Sequence, residues 1–165
     1  MNDAIFVEVD VAVITGAALG IGRATALKCA GLGMGVVLAD LGSDDLDDAL
    51  LAVRAAAADP AAVVALPTDV AVAGEVDALR DAAIERFGRV DFLMNNAVTR
   101  VGRGMWADLD EWRRAVDVNL WGVIHGVRAF APGMIASDRR ARIVNVGSKQ
   151  GITNPPGHPV YNLCK

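Results

Sequence analysis

The chain has 165 residues, 53% of them hydrophobic and 22% charged, with a formal net charge of −4. That is the length and apolar content of one globular domain, and it excludes a disordered chain. No basic run suits a nucleic acid, no apolar stretch nears the roughly 20 residues of a membrane helix, and the two cysteines, Cys29 and Cys164, form no disulfide framework or zinc pattern.

Residues 1–9 read as a short arm, lacking the basic start and apolar core of a signal peptide, so a soluble cytoplasmic protein is the expectation. Val11 to Ile14 is a continuous apolar run, as in a strand buried on both faces. The chain then turns through Thr15-Gly16-Ala-Ala-Leu19-Gly20-Ile21-Gly22 into a helical pattern reaching about Ala30. Gly31, Gly33 and Gly35 offer left-handed residues to end that helix. Val36 to Asp40 is a second strand that finishes on a carboxylate. Strand, glycine turn, helix, strand, acid is the order of a dinucleotide-binding unit. Gly16 allows the tight reversal, Gly20 admits a pyrophosphate to the backbone, and Gly22 lets helix and strand pack closely. The helix start offers free N–H groups to phosphates. Asp40, eighteen residues after Gly22, has the spacing of an acid that accepts from an adenosine ribose. Arg23 and Ala24 follow Gly22, so the lysine and hydroxyl of a mononucleotide loop are absent.

Ser43 is placed to cap a helix from Asp44 to about Ala58. Asp44, Asp45, Asp47 and Asp48 then complement its dipole rather than hold a metal, and Leu46, Leu50, Leu51 and Val53 form an apolar stripe. A strand at 62–66 leads into Thr68-Asp69-Val70. A helix from about Ala73 to Phe87 buries Val76, Leu79, Ala83 and Ile84. The strand Val90 to Met94 runs into Asn95-Asn96-Ala97-Val98, and the following loop carries Arg100 and Arg103, read as solvated. Asp108 and Glu111 suit a capping box for one long helix, about Leu109 to Phe130. Its middle is apolar nearly all round, which suggests a subunit contact; His125 there reads as packed or capped, not as a ligand. Pro132-Gly133 is expected to end it. Arg142 to Val146 is a fifth strand running into Gly147-Ser148, and after a turn-rich loop a helical pattern begins at Tyr161.

Helices between successive strands predict a single α/β domain, a doubly wound parallel sheet of the Rossmann type in three layers with right-handed crossovers. Ligands of such sheets bind beyond the strands' carboxyl ends. The Gly16 turn, Asp40, Asp69, Asn95 to Ala97 and Ser148 all fall on that rim. Tyr161 and Lys165 share a helix face at a spacing of four. An ammonium beside a phenol favours the phenolate and makes the phenol a usable proton donor. Ser148, thirteen residues earlier, can donate to a carbonyl or alkoxide oxygen.

These motifs, with Asn119, resemble the short-chain dehydrogenase/reductase family over Val11 to Lys165. The resemblance implies an NAD(P)-dependent oxidoreductase acting on a small alcohol or ketone, and a homo-oligomer when complete. It implies Tyr161 as catalytic acid/base, Lys165 as its tuner and ribose contact, Ser148 as orienter of the substrate oxygen, and Asn119 as the kink that holds a relay water. Cofactor contacts implied are Gly16, Leu19, Gly20, Ile21, Gly22, Asp40 and Leu41, then Asp69 and Val70 at adenine, Asn95, Asn96 and Ala97 on the adenosine side, and Tyr161 and Lys165 at nicotinamide. Asp40, with Leu41 beside it and no compensating cation, predicts NAD over NADP.

Two departures from the family are visible. Val98 stands where the family often has glycine, so the backbone there is expected to differ, since a β-branched residue tolerates positive φ poorly. The family also continues past the lysine, so residues 1–165 read as a domain incomplete at its C-terminus. Alone they are expected to bind NAD weakly and catalyse little, with the adenosine half of the site outlasting the nicotinamide half. The alternatives are a truncated, non-catalytic dinucleotide-binding relative and a Rossmann-like methyltransferase. The Ser148, Tyr161 and Lys165 set opposes the latter, because methyl transfer needs no proton relay.

Overall fold

The structure is a computed structural model that describes residues 10–102 and 104–165; the arm read at 1–9 and Arg103 lie outside the described residues. Five parallel strands form one sheet in the order β3-β2-β1-β4-β5. They are β1 (Val11–Thr15), β2 (Gly35–Asp40), β3 (Val63–Pro67), β4 (Phe92–Asn95) and β5 (Arg142–Asn145). The strands alternate their side chains between two cores, as a period of two requires. Ala12, Ile14, Val36, Leu38, Phe92 and Met94 pack on one face against α1 (Gly20–Gly31) and α2 (Asp44–Ala56). Val13, Val37, Ala39 and Leu93 pack on the other against α3 (Ala73–Phe87) and α5 (Gly122–Ala136). The chain changes faces between β3 and β4. A crevice therefore opens at the carboxyl ends of β1 and β4, the switch point of a doubly wound sheet.

Where the chain departs from periodicity, burial explains it. Leu51 is 66% and Ile84 43% exposed, because each lies a helical step or more off the stripe set by Leu46 and Val53, or by Leu79 and Ala83. The expected single helix from Leu109 is three pieces: α4 (Leu109–Val116), a π-helical turn at Asp117–Trp121, and α5. Pro132 does not stop α5. It is exposed, while Phe130 and Met134 on either side are buried, so packing on the sheet carries the helix past one lost hydrogen bond. The loop read as turn-rich contains a short helix, α6 (Gln150–Thr153), before α7 (Pro159–Cys164).

Candidate active site

The glycine turn begins the site. Gly16 and Gly20 have φ of +65° and +54°, a conformation that side chains rarely adopt. A β-carbon on Gly16 would also lie 2.8 Å from the Ala97 Cα, and one on Gly22 would fall on the Gly16 carbonyl. At Gly20 nothing lies within 4 Å, so the backbone there faces open space. The α1 N-terminus beside it has no acid in its first turn and no capping side chain. Its N–H groups and positive dipole end are thus left for an external anion.

Thr15 ties this turn to β4. Its hydroxyl accepts from the N–H groups of Asn96 at 3.0 Å and Ala97 at 3.1 Å, and it donates to the Met94 carbonyl at 3.3 Å. The Asn96 amide returns two bonds of 3.0 Å, to the Thr15 and Gly16 carbonyls. Asp40 braces the other side, its carboxylate accepting from Ala18 N–H at 2.9 Å and Leu41 N–H at 2.8 Å. The remaining lone pairs of Asp40 are available to hydroxyl donors in the crevice.

A cavity of about 510 Å³ fills the crevice, with Leu19, Gly20, Asp40, Asp69, Ala97 and Arg114 among its walls. Ile21, Leu41 and Val70 also line it. Asn95 does not. It is buried, and its amide donates to the Asn145 side chain at 2.8 Å, because strand alternation turns it away from the rim toward Gly126. Val98 lines the cavity too, and among the described residues the non-glycine ones with positive φ are Asp138 and Asn154. Val98 is therefore without the positive φ that a β-branched residue tolerates poorly, in keeping with that reading.

Asp69 receives Arg114 at 2.7 Å and Ala71 N–H at 3.0 Å. Partial burial pushes its carboxyl up, but the Arg114 guanidinium and the Ala71 N–H together outweigh that and hold it below the ordinary carboxylate range. Behind it, His125 Nδ1 lies 2.9 Å from the Val70 carbonyl. That is the capped role read from sequence.

On the β5 side of the rim, α7 carries Tyr161 with Lys165 just beyond its end. The Lys165 ammonium donates to the Val146 carbonyl at 2.8 Å and lies 6.0 Å from the Tyr161 ring centre. Burial pushes its pKa down, with the neighbouring Cys164 opposing. The Arg100 guanidinium lies over the same ring at 5.7 Å. Ser148 Oγ accepts from Gln150 N–H at 3.2 Å, which leaves its own proton to donate elsewhere. Asn119 is buried within the π-helical turn and grips the Thr99 backbone in both directions, at 2.8 and 2.9 Å. Widened turns of this kind are frequent at functional sites.

The family profile for short chain dehydrogenase matches residues 10–165. The chain belongs to the short-chain dehydrogenase/reductase family.

Among its relatives, a 3-oxoacyl-[acyl-carrier-protein] reductase of Synechocystis is 37% identical over 94% of this chain. A 1-deoxy-11-beta-hydroxypentalenate dehydrogenase of Streptomyces avermitilis is 39% identical over 93%. A short-chain dehydrogenase/reductase structure from Burkholderia phymatum in complex with NAD is 43% identical, with a TM-score of 0.89 over 96% of this chain. The chain spans about three-fifths of these proteins' lengths: 62%, 57% and 57% respectively. Two residues that shape the crevice of this short-chain dehydrogenase/reductase chain were not among the expected site residues. Thr15 carries a signal, a hydroxyl immediately before the first glycine. Arg114 carries none, being one of several helix arginines until the fold sets it against Asp69.

Proposed function

We propose that the protein transfers a hydride between NAD(H) and a secondary alcohol or ketone. The observation that carries the reading is the placement of the Tyr161 ring beside the Lys165 ammonium, on the same rim as an open glycine turn with Asp40 across from it. The turn and the start of α1 would hold the pyrophosphate, and Asp40 the adenosine ribose. Asp69 and Val70 would border the adenine, with Asn96 and Ala97 forming the cavity wall between the two ends. Once bound, the nicotinamide supplies or accepts the hydride. Tyr161 donates its phenolic proton to the substrate oxygen in reduction and accepts one in oxidation. Ser148 donates to the same oxygen and fixes its position. Lys165 would contact the nicotinamide ribose, and Asn119 holds the Thr99 loop against the π-helical turn. Family membership favours this oxidoreductase reading over a non-catalytic one.

Asp40 would repel a 2′-phosphate, which favours NAD over NADP. The exposed Leu120, Trp121 and Ile135 of the π-helical turn and α5 support a homo-oligomer.

The test is turnover of alcohols and ketones by parent and Tyr161→Phe proteins, with NAD binding measured on both. Tyr161→Phe is expected to lose about a hundredfold or more in kcat while keeping cofactor affinity. Undiminished turnover would remove Tyr161 from its role.

A further inference from the structure

The protein is acidic overall, yet the two stretches that it supplies to the substrate side are not. From Phe92 to Ala107 and from Arg139 to Lys165 there is no Asp or Glu. These stretches build the loops after β4 and β5, and the loops meet, since a β-carbon on Gly104 would lie 2.6 Å from the Gly157 carbonyl. The crevice acids, Asp40 and Asp69, stand on the opposite side, occupied by backbone N–H groups and Arg114. The acids next along the chain are likewise engaged: Asp108 caps α4, and Asp110 pairs with Arg113 at 2.8 Å.

Among the described residues, Arg100 is a cation on this side that lies beside the proposed chemistry without belonging to it. Its guanidinium lies 5.7 Å from the Tyr161 ring centre, and among the described residues it has no carboxylate partner. Lys149, exposed one residue after Ser148, adds to the positive potential. A guanidinium offers paired donors to a carboxylate or phosphate.

Resting on the oxidoreductase reading, we propose that the substrate is an anionic hydroxy or oxo compound. It would bear a carboxylate or phosphate a few bonds from the reacting carbon, and Arg100 would bind that group while Tyr161 faces the oxygen. Arg100 would then be a specificity residue rather than a solvated loop cation.

The test uses two pairs that differ in the anion: 3-hydroxybutanoate with its methyl ester, and glycerol 3-phosphate with glycerol. Binding to the protein in saturating NAD is followed by ligand-observed NMR, and turnover by NADH absorbance. The expected result is a preference for the anionic member of at least one pair; which pair responds separates carboxylate from phosphate. In Arg100→Gln that preference should shrink about tenfold to a hundredfold, with partial return in Arg100→Lys and loss in high salt. Equal binding of charged and neutral members by the parent would overturn the proposal, as would a preference that survives in Arg100→Gln. Anion-selective binding that needs Arg100 but comes with no turnover would leave this site standing and count against the oxidoreductase reading.

Discussion

Asp40 does two jobs with one carboxylate. It accepts the Ala18 and Leu41 N–H groups, and so holds the glycine turn, while it faces the cavity where a ribose would lie. Exchanging it therefore costs structure as well as charge. Asp40→Ala with Leu41→Arg is expected to change the NAD-to-NADP preference by about tenfold or more in favour of NADP(H), since a guanidinium replaces an acid at the 2′ position. Absolute affinity for either cofactor should fall, because the Ala18 N–H loses its partner. Cofactor titration of both proteins checks this, and equal affinity of the parent for the two would refute the assignment. Asp40 was legible in the sequence because its spacing from the glycines follows from one helix and one strand. Asn95 and Asn96 were not separable, since adjacent strand residues face opposite ways and only the sheet shows which faces the rim. Arg114 was invisible because its partner, Asp69, is forty-five positions away and on a different element.

At the level of elements, strands and glycine turns were readable because steric rules leave few choices: continuous apolar runs for buried parallel strands, glycine where φ is positive. The π-helical turn at Asp117–Trp121 was not, because one extra residue in a turn leaves the surrounding apolar pattern intact. Pro132 misled for the opposite reason, as a strong local rule was overridden by burial of its neighbours. The link between α4 and the loop after β3 is the Asp69–Arg114 pair, and it should depend on pH. The folded Asp69 pKa is lowered, so the pair's stabilisation is present above the ordinary carboxylate value and is lost as pH falls through the lowered one. Both side chains are partly exposed, at 24% and 43%, and solvent screening limits the effect to roughly 0.5 kcal/mol. Arg114→Met should therefore be less stable than the parent by about that amount near neutral pH, and the gap should close in strong acid. Urea unfolding across pH reads it directly; a constant gap would show that Arg114 acts through packing instead.

For the molecule as a whole, Leu120 is 41%, Trp121 47% and Ile135 80% exposed between the π-helical turn and the end of α5. Large apolar side chains left open to solvent along one helical stretch mark it as a candidate interaction surface. The expected partner is a second copy of the chain. Sedimentation at micromolar concentration should give a dimer or larger, and Trp121→Glu should shift it toward monomer. A parent that sediments as a monomer would contradict the proposal.

The Thr15 hydroxyl has a consequence in time as well as in space. It clasps residues 81 and 82 positions downstream, and β4, which pairs with the edge of β1 opposite β2, is separated from β1 by the whole of β2, β3 and their helices. Contacts so distant along the chain are slow to find, because the intervening loop must be closed before they reward it. The crevice is thus among the last features to condense, although its glycine turn is built from the first strand. Once made, the clasp should open only with the sheet. The Asn96 and Ala97 amides, held by a side chain in an otherwise irregular segment, are expected to exchange with deuterium as slowly as those in the middle of β1, and to lose that protection in Thr15→Val.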